Sequence, residues 1–440
     1  MTTSLSTSGA PRIPAGDAAD HEVRKHLPRN FLAHSIEGGL YMGGMTFLSA
    51  SIVGPKMVEA LGGPAWLTAA MPQILTAGYL IPPLLTAHWM ERLVRFHPLL
   101  LTLGFFQRIV YLIAGAVLFW GFRGNPAVLV AAAALAPLIS GMVAGSGITA
   151  WQEFVANAIP PHRRSSVWAT RNAICCLIGL GAGAVVLKVL DAFPGPRGYG
   201  LLHLTTFAFL TLSYIAFACT REIPNPRPRP GRAAGVGETL ADIWAIVRTD
   251  RRFRLYLLSA AFNYGLFIMM PFMTIFTLNR LGWREGQMGW LLSGQMLGAI
   301  AGNLLAAWIG DRWGGRRVLL TARTMMLAVC LWMPWARTPA EFLGLFFLFG
   351  AGSYCNQVGH ATLGMELCPL DRRIRYLASI SGVGLVSMLT TWILSMLAWR
   401  GSGGSFLVVA LLSAATVAIS TEFLRGVVEP RHEATRNTTQ

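Results

Sequence analysis

Residues 288–309 read MGWLLSGQMLGAIAGNLLAAWI, and the apolar run then ends in Asp311-Arg312-Trp313-Gly314-Gly315-Arg316-Arg317. No Asp, Glu, Lys or Arg interrupts 288–309. A hydrocarbon core is crossed by about 20 residues of helix, so this stretch is long enough to span one. A second run, Leu377 to Ala398, has the same character. Lipid offers no water to backbone N–H and C=O groups, so spanning segments are helices or closed barrels. Alternation of period two is absent, which removes the barrel. The class that follows is an all-α integral membrane protein.

The composition agrees. Of 440 residues, 54% are hydrophobic and 13% charged, where a soluble chain carries about a quarter charged residues. Apolar runs near 31–53, 65–87, 99–122, 126–154, 167–189, 201–218, 257–277, 288–309, 318–335, 342–366, 377–398 and 405–423 predict twelve transmembrane helices in two six-helix bundles. The net charge of +16 would suggest nucleic acid in a soluble protein, but its distribution points elsewhere. With the N-terminus in the cytoplasm, the outward loops hold only Lys56, Arg123, Arg197, Arg280, Arg284, Arg337 and Arg400, and most other Lys and Arg lie in inward loops and tails. That is the positive-inside bias, and an even number of spans puts both termini inside a multi-pass cell membrane protein, in a bacterium the inner membrane. No aromatic-and-basic patch of the kind that binds nucleic acid is present.

Five segments follow: a polar, disordered cytoplasmic tail (1–30), a first bundle (31–219), a linker (220–256), a second bundle (257–424) and a C-terminal tail (425–440). The tail has no apolar core ahead of a small-residue cleavage site, so no removable signal peptide is read, and the first span is the insertion signal. The linker interleaves Pro224, Pro226, Pro228 and Pro230 with Arg227, Arg229 and Arg232, a stiff basic segment or simply a solvated one. Leu240, Ile243, Trp244 and Val247 then recur at helical spacing, as in an amphipathic helix on the membrane surface. The six cysteines avoid outward loops and form no CxxC pair, so neither a disulfide framework nor a zinc site is expected. No P-loop, HExxH or EF-hand pattern appears; no cofactor is expected and an ATP-driven pump is disfavoured.

The two halves echo each other. Pro160, Arg163, Arg164 and Ala169 match Pro369, Arg372, Arg373 and Ala378 at one offset, and Glu91-Arg92 matches Asp311-Arg312 in the corresponding loop. An Ala-Gly-Ser step recurs at Ala144 and Ala351. Matches at topologically equivalent places argue for a duplicated six-helix unit.

The stretch Asp311-Arg312-Trp313-Gly314-Gly315-Arg316-Arg317 resembles the signature loop of the major facilitator superfamily, G-x-x-x-D-R-x-G-R-R. The resemblance implies a twelve-helix transporter fold and an inward-gating role for Asp311, Arg312, Gly314, Arg316 and Arg317. The Asp is placed to cap the next helix. The family's first glycine is Ala307 here, and the matching first-half loop keeps Glu91, Arg92 and Arg95 without the glycines. The helix-4 arginine of many proton-coupled members falls at Gly141, and the fifth span has Gly179, Gly181 and Gly183 but no Gly-Pro pair. Antiporter subclass therefore does not follow. Those glycines, with Gly294, Gly298 and Gly302, read as sites of close helix packing.

Glu153 and Glu366 stand before the inner loops carrying Arg163 and Arg164, or Arg372 and Arg373; they read as ion-pair clamps of a cytoplasmic gate or as surface pairs of negligible energy. The resemblance makes the first, fourth, seventh and tenth spans cavity-lining. Polar candidates there are His34, Glu37 and Tyr41, then Asn263 and Tyr264, then Asn356, Gln357 and His360. An ionisable residue inside a span is costly and by default functional, so Glu37 is the candidate coupling residue, with His360 opposite it. The alternatives are an ion pair of Glu37 with Arg108 and interhelical hydrogen bonding for the amides and tyrosines. The expected function is a monomeric secondary transporter moving a small solute by alternating access. Its energy source is an ion gradient, H+ being the candidate ion, or the solute's own gradient. The other reading is a non-transporting assembly factor of the same fold.

Overall fold

A computed structural model describes residues 16–83, 86, 93–121, 124–223, 244–368 and 373–429; it is helical, with no strand among these residues. In chain order the helices are α1 (Gly16–Met45), α2 (Val53–Ala60), α3 (Ala65–Leu80), α4 (His97–Phe119), α5 (Pro126–Ala158), α6 (Pro161–Ala192), α7 (Pro196–Ala218), α8 (Arg251–Asn263), α9 (Leu266–Leu281), α10 (Met288–Trp313), α11 (Gly315–Trp332), α12 (Pro339–Leu367), α13 (Arg373–Gly401) and α14 (Phe406–Arg425). Among the described residues, nine helical stretches are long and apolar enough to cross a membrane by length and composition. They match the expected third to ninth, eleventh and twelfth spans. The other three expected spans fall on α1–α2, which is interrupted, on α3, with 16 residues in its helix, and on α12, which carries Asn356, Gln357, His360 and Glu366. Glu91, Arg92, Pro369, Arg372 and the linker's 224–243 lie outside the described residues, as does the side chain of Arg373.

Helix starts are set locally. Proline opens α5, α6, α7 and α12, where its missing N–H costs nothing and its fixed φ suits a first turn. The tail expected over 1–30 is shorter than that: α1 is already helical at Gly16. Its polar first turns are tied down by Arg29 Nε donating to Cys219 O at 2.7 Å and by Asn30 exchanging hydrogen bonds with the Arg221 backbone.

Two spans are broken. The first stops at Met45 and resumes at Val53. The seventh breaks between α8 and α9, where Ser413 Oγ of α14 donates to Gly265 O (2.9 Å) and accepts from Met269 N–H (3.1 Å). A hydroxyl thereby replaces one rung of the helical ladder, and the freed backbone groups stay satisfied where lipid offers no substitute.

Among the described residues, the halves meet at one end only. A continuous apolar cluster there contains Phe47, Ile52 and Met57 from the first half and Met269, Phe272 and Leu292 from the second. Ser51 Oγ donates to Gln295 (3.2 Å), Trp392 Nε1 to Trp66 O (2.8 Å) and Tyr199 OH to Glu285 (2.9 Å). Glycine lets α6 and α10 approach: a side chain at Gly183 would collide with the Gly289 carbonyl, and Gly298 and Gly302 face α12 backbone in the same way. Gly181 faces open space, so the packing role expected of that run rests on Gly179 and Gly183. At the opposite end, near the termini, the apolar clusters are separate. Phe96, Phe154 and Phe217 form one within the first half; Phe253, Tyr256, Leu363 and Leu424 form another within the second.

Candidate functional site

The eight expected cavity residues do not converge on one site. They fall into two polar clusters, one in each half, with three residues left aside.

The first cluster surrounds Glu37. Its carboxylate accepts from Arg171 Nη1 at 3.1 Å, both side chains being under a tenth exposed. Arg171 comes from α6, two turns beyond Arg164 and therefore deep in the span. Its guanidinium lies over two indoles that meet each other edge to face, 4.7 Å from the Trp168 ring centre and 5.2 Å from that of Trp151, an arrangement that stabilises a cation. It also occupies the space a side chain at Gly38 would take, so Gly38 is what lets the pair form across α1 and α6. The Nε–H of Arg171 has no partner among the described residues.

Arg108 of α4 is the partner that the alternative reading gives Glu37, but its donors go elsewhere. Nε donates to Leu210 O (2.7 Å), Nη1 to Gly104 O (2.8 Å) and Nη2 to Ser213 Oγ (3.4 Å). It braces α4 against α7. Gln107 Nε2 donates to Tyr41 OH at 2.7 Å. Glu37, Tyr41, Gln107, Arg108, Trp151, Trp168 and Arg171 all line a cavity of about 310 Å3. A second cavity of about 340 Å3 shares Tyr41, Met42 and Leu75 with it and continues among Met45, Met57, Met71 and Tyr111 to Tyr354 of α12. The two form a charged lobe and an apolar, methionine-lined lobe. His34 is outside both: it is fully buried against Phe154 and Phe217, and neither ring nitrogen has a hydrogen-bond partner among the described residues.

The second cluster surrounds Arg323 of α11, which is 0% exposed. Its guanidinium donates to Ser420 Oγ (2.9 Å), Asn356 Oδ1 and His360 Nε2 (3.2 Å). Arginine can only donate, so His360 Nε2 accepts and its proton sits on Nδ1, facing Tyr256 OH at 3.0 Å. His360 is thus held as a neutral tautomer. Asn263 Nδ2 reaches Asn356 Oδ1 at 3.5 Å. Tyr264 stacks on Phe267 instead, and Gln357 is exposed. Gln357, Ala361 and Met365 follow Tyr354 at helical spacing and are all exposed, so the α12 face that meets the first half at Tyr354 is open from there toward the termini.

The gate residues are scattered. Asp311 is exposed, and Arg312 and Arg317 lie over Trp308 and Trp313. Arg316 donates to Leu424 O (3.2 Å) and Arg425 O (2.6 Å), closing the end of α14. The cap expected of Asp311 belongs to Glu429: its Oε2 accepts from Arg316 N–H at 3.0 Å, beside Gly314 at φ +83°. Only glycine adopts that φ without strain, and a side chain there would collide with the Glu429 carboxylate. Glu153 and Arg163 are both exposed, and no ion pair joins them among the described contacts; Arg164 instead closes the end of α5 through Ile159 O (3.0 Å) and Ala156 O (2.8 Å). Glu366 is half-buried near the end of α12.

Sequence reasoning missed Arg171, Arg323, Glu222 and Glu429. Glu222 Oε1 accepts from Phe96 N–H and from His97 N–H (3.1 Å), capping α4 as Glu429 caps α11. The signal for the arginines was available: each is a charge well inside an apolar span.

Comparison with known proteins agrees with this architecture. A family model described as Major Facilitator Superfamily matches residues 255–440. An uncharacterised Mycobacterium tuberculosis protein is 22% identical over 305 residues, 69% of this chain and 58% of that one; the match thus spans less than two thirds of the relative. Among solved structures, the nucleoside transporter NupG superposes with a TM-score of 0.65 at 13% identity, covering 91% of this chain and 100% of the other. A bacterial homologue of the human lysosomal transporter Spinster, in an inward-facing and occupied conformation, gives 0.61 at 14% identity, covering 92% and 97%. Over residues 255–440 the sequence matches the Major Facilitator Superfamily model, and over nearly its whole length the chain is similar in fold to these transporters.

Proposed function

We propose that the protein is a monomeric secondary transporter that moves a small solute across the cell membrane by alternating access, with both termini cytoplasmic. The observation that carries this reading is the buried Glu37–Arg171 pair on the wall of a cavity inside the first half. An ion pair withdrawn from water is costly to maintain and adds little net stability, so a place in a cavity suits it to a switch rather than to scaffolding. Contact between the halves at the end remote from the termini, and separate clusters at the other, support an inward-facing state. The charge bias of the loops supports the orientation. In this reading Glu37 is the coupling residue: it is ionised while Arg171 holds it and takes a proton when Arg171 is engaged by solute. His360, already committed to Arg323 and Tyr256, is not part of the relay.

The test is Glu37→Gln in proteoliposomes. Transport driven by an imposed pH gradient is expected to be lost while solute counterflow persists. Gradient-driven transport at the wild-type rate would remove Glu37 from coupling, and absence of counterflow by the wild type for every solute tried would favour a non-transporting role.

A further inference from the structure

Resting on that reading, we propose that the transported solute is a small amphipathic organic anion: a carboxylate or sulfonate held at Arg171 with its apolar body in the methionine-lined lobe.

The argument is one of charge. Within the described spans the buried charged side chains are Arg108, Arg171 and Arg323 against one carboxylate, Glu37. Two of the cations and the carboxylate line the same cavity. Arg108 is satisfied by carbonyls, an amide and a hydroxyl, none of which neutralises it. The cavity therefore carries a net positive charge even with Glu37 ionised. In a medium of low dielectric that imbalance attracts an anion and repels a cation.

Each solute class has a different consequence for the Glu37–Arg171 pair. A neutral solute leaves it intact and gains nothing from it. A cation that captures Glu37 strands Arg171 beside Arg108, two cations with no counter-charge. An anion that captures Arg171 frees Glu37, and a proton taken by Glu37 removes the remaining charge. Anion plus proton is the combination that leaves no new unpaired charge. Arg171 is suited to the exchange, since among the described hydrogen bonds only its Nη1 is engaged, by Glu37, and a guanidinium presents two parallel donors to a carboxylate. Trp151 and Trp168 keep ring faces beside the cation while its partner changes. The solute's body is indicated by the adjoining lobe, where Met42, Met45, Met57 and Met71 offer polarizable, adaptable walls.

The experiment uses the full-length protein in nanodiscs, read by melting temperature and by tryptophan emission. The probes are 4-phenylbutyrate, octanoate and naphthalene-2-sulfonate, with 4-phenylbutylamine, 4-phenylbutanol, acetate and inorganic phosphate as controls. At least one amphipathic anion is expected to raise the melting temperature and shift the emission, with acetate and phosphate at least about tenfold weaker. Arg171→Gln is expected to weaken that anion by about tenfold or more. Arg171→Lys, which keeps the charge and guards against simple misfolding, is expected to retain part of the binding. Equal response to the amine or the alcohol, response to phosphate alone, no response to any anion, or undiminished binding by Arg171→Gln would each overturn the proposal. Binding of an anion that is not exchanged across proteoliposomes would leave the site standing and sink the transport reading instead.

Discussion

The two halves of the molecule are built with the same braces and differ in what the braces enclose. In the first half Arg108 of α4 reaches Ser213 of α7, and Glu222, just past α7, caps α4. In the second half Arg323 of α11 reaches Ser420 of α14, and Glu429, just past α14, caps α11. The two serines and the two glutamates are related by the same offset along the chain. Around that shared scaffold the chemistry diverges. The first half adds Glu37, Arg171 and a cavity, whereas the second closes Arg323 inside a shell of neutral partners. The shared frame is what a duplicated unit would leave, and the departures from it mark where function is to be sought.

The largest effect expected from breaking the comparison is at Arg323. Arg323→Gln leaves Ser420, Asn356 and His360 without their shared donor, at a position where the arginine itself is wholly buried. A cost of ~3 kcal/mol or more follows, since several buried polar groups lose a charged partner together. Arg171→Gln faces a cavity, where Glu37 has water or a proton available, and is expected to cost far less in melting temperature while abolishing transport. Melting temperature and counterflow, measured on both variants, decide it. An Arg323→Gln protein of wild-type stability, or an Arg171→Gln protein with normal transport, would erase the distinction between brace and site.

The fold was legible because lipid imposes a simple rule, and runs such as 288–309 obey it visibly. Glu37 and Tyr41 were legible for a related reason: their spacing puts them on one face of a helix expected to line the cavity. Their partners were not. Arg171 meets Glu37 across two helices, and nothing in the sequence ranks it above Arg108, whose donors are consumed by Leu210 O and Gly104 O. The break at 264–265 depends on a serine inserted from α14, a tertiary event without local trace beyond Gly265. Glu429 lies in the stretch expected as a tail, more than a hundred residues from the helix it caps, so the sequence offers only the adjacent Asp311 for that role.

An intermediate effect is expected at Gly38. Its Cα is covered by the Arg171 guanidinium, so Gly38→Ala forces that side chain out from between α1 and α6. The cost of overpacking is ~1–3 kcal/mol, with Glu37 and Arg171 parted. Gly38→Ala should therefore reproduce the transport defect of Arg171→Gln without removing any charge. Normal transport by Gly38→Ala would show that Arg171 has a second productive position and that its packing on Gly38 is incidental.

The smallest effects test the shared scaffold directly. Glu222→Gln and Glu429→Gln each take the charge from a carboxylate that accepts backbone N–H groups at a helix start, where the helix dipole favours a negative group. Losses of ~0.5–2 kcal/mol are expected for each, and the two should be alike if the devices are equivalent. Asp311→Asn, at an exposed position with the cap already supplied by Glu429, should leave the melting temperature nearly unchanged. Any effect of Asp311→Asn would then appear in the transport rate and not in solute affinity, as a gate residue requires and a cap does not. Three melting curves and a parallel measurement of rate and affinity separate the cases. A loss of stability at Asp311 larger than at Glu429 would return the cap to the signature loop. Unequal losses at Glu222 and Glu429 would mean that one brace has been taken over by the opening and closing of its half.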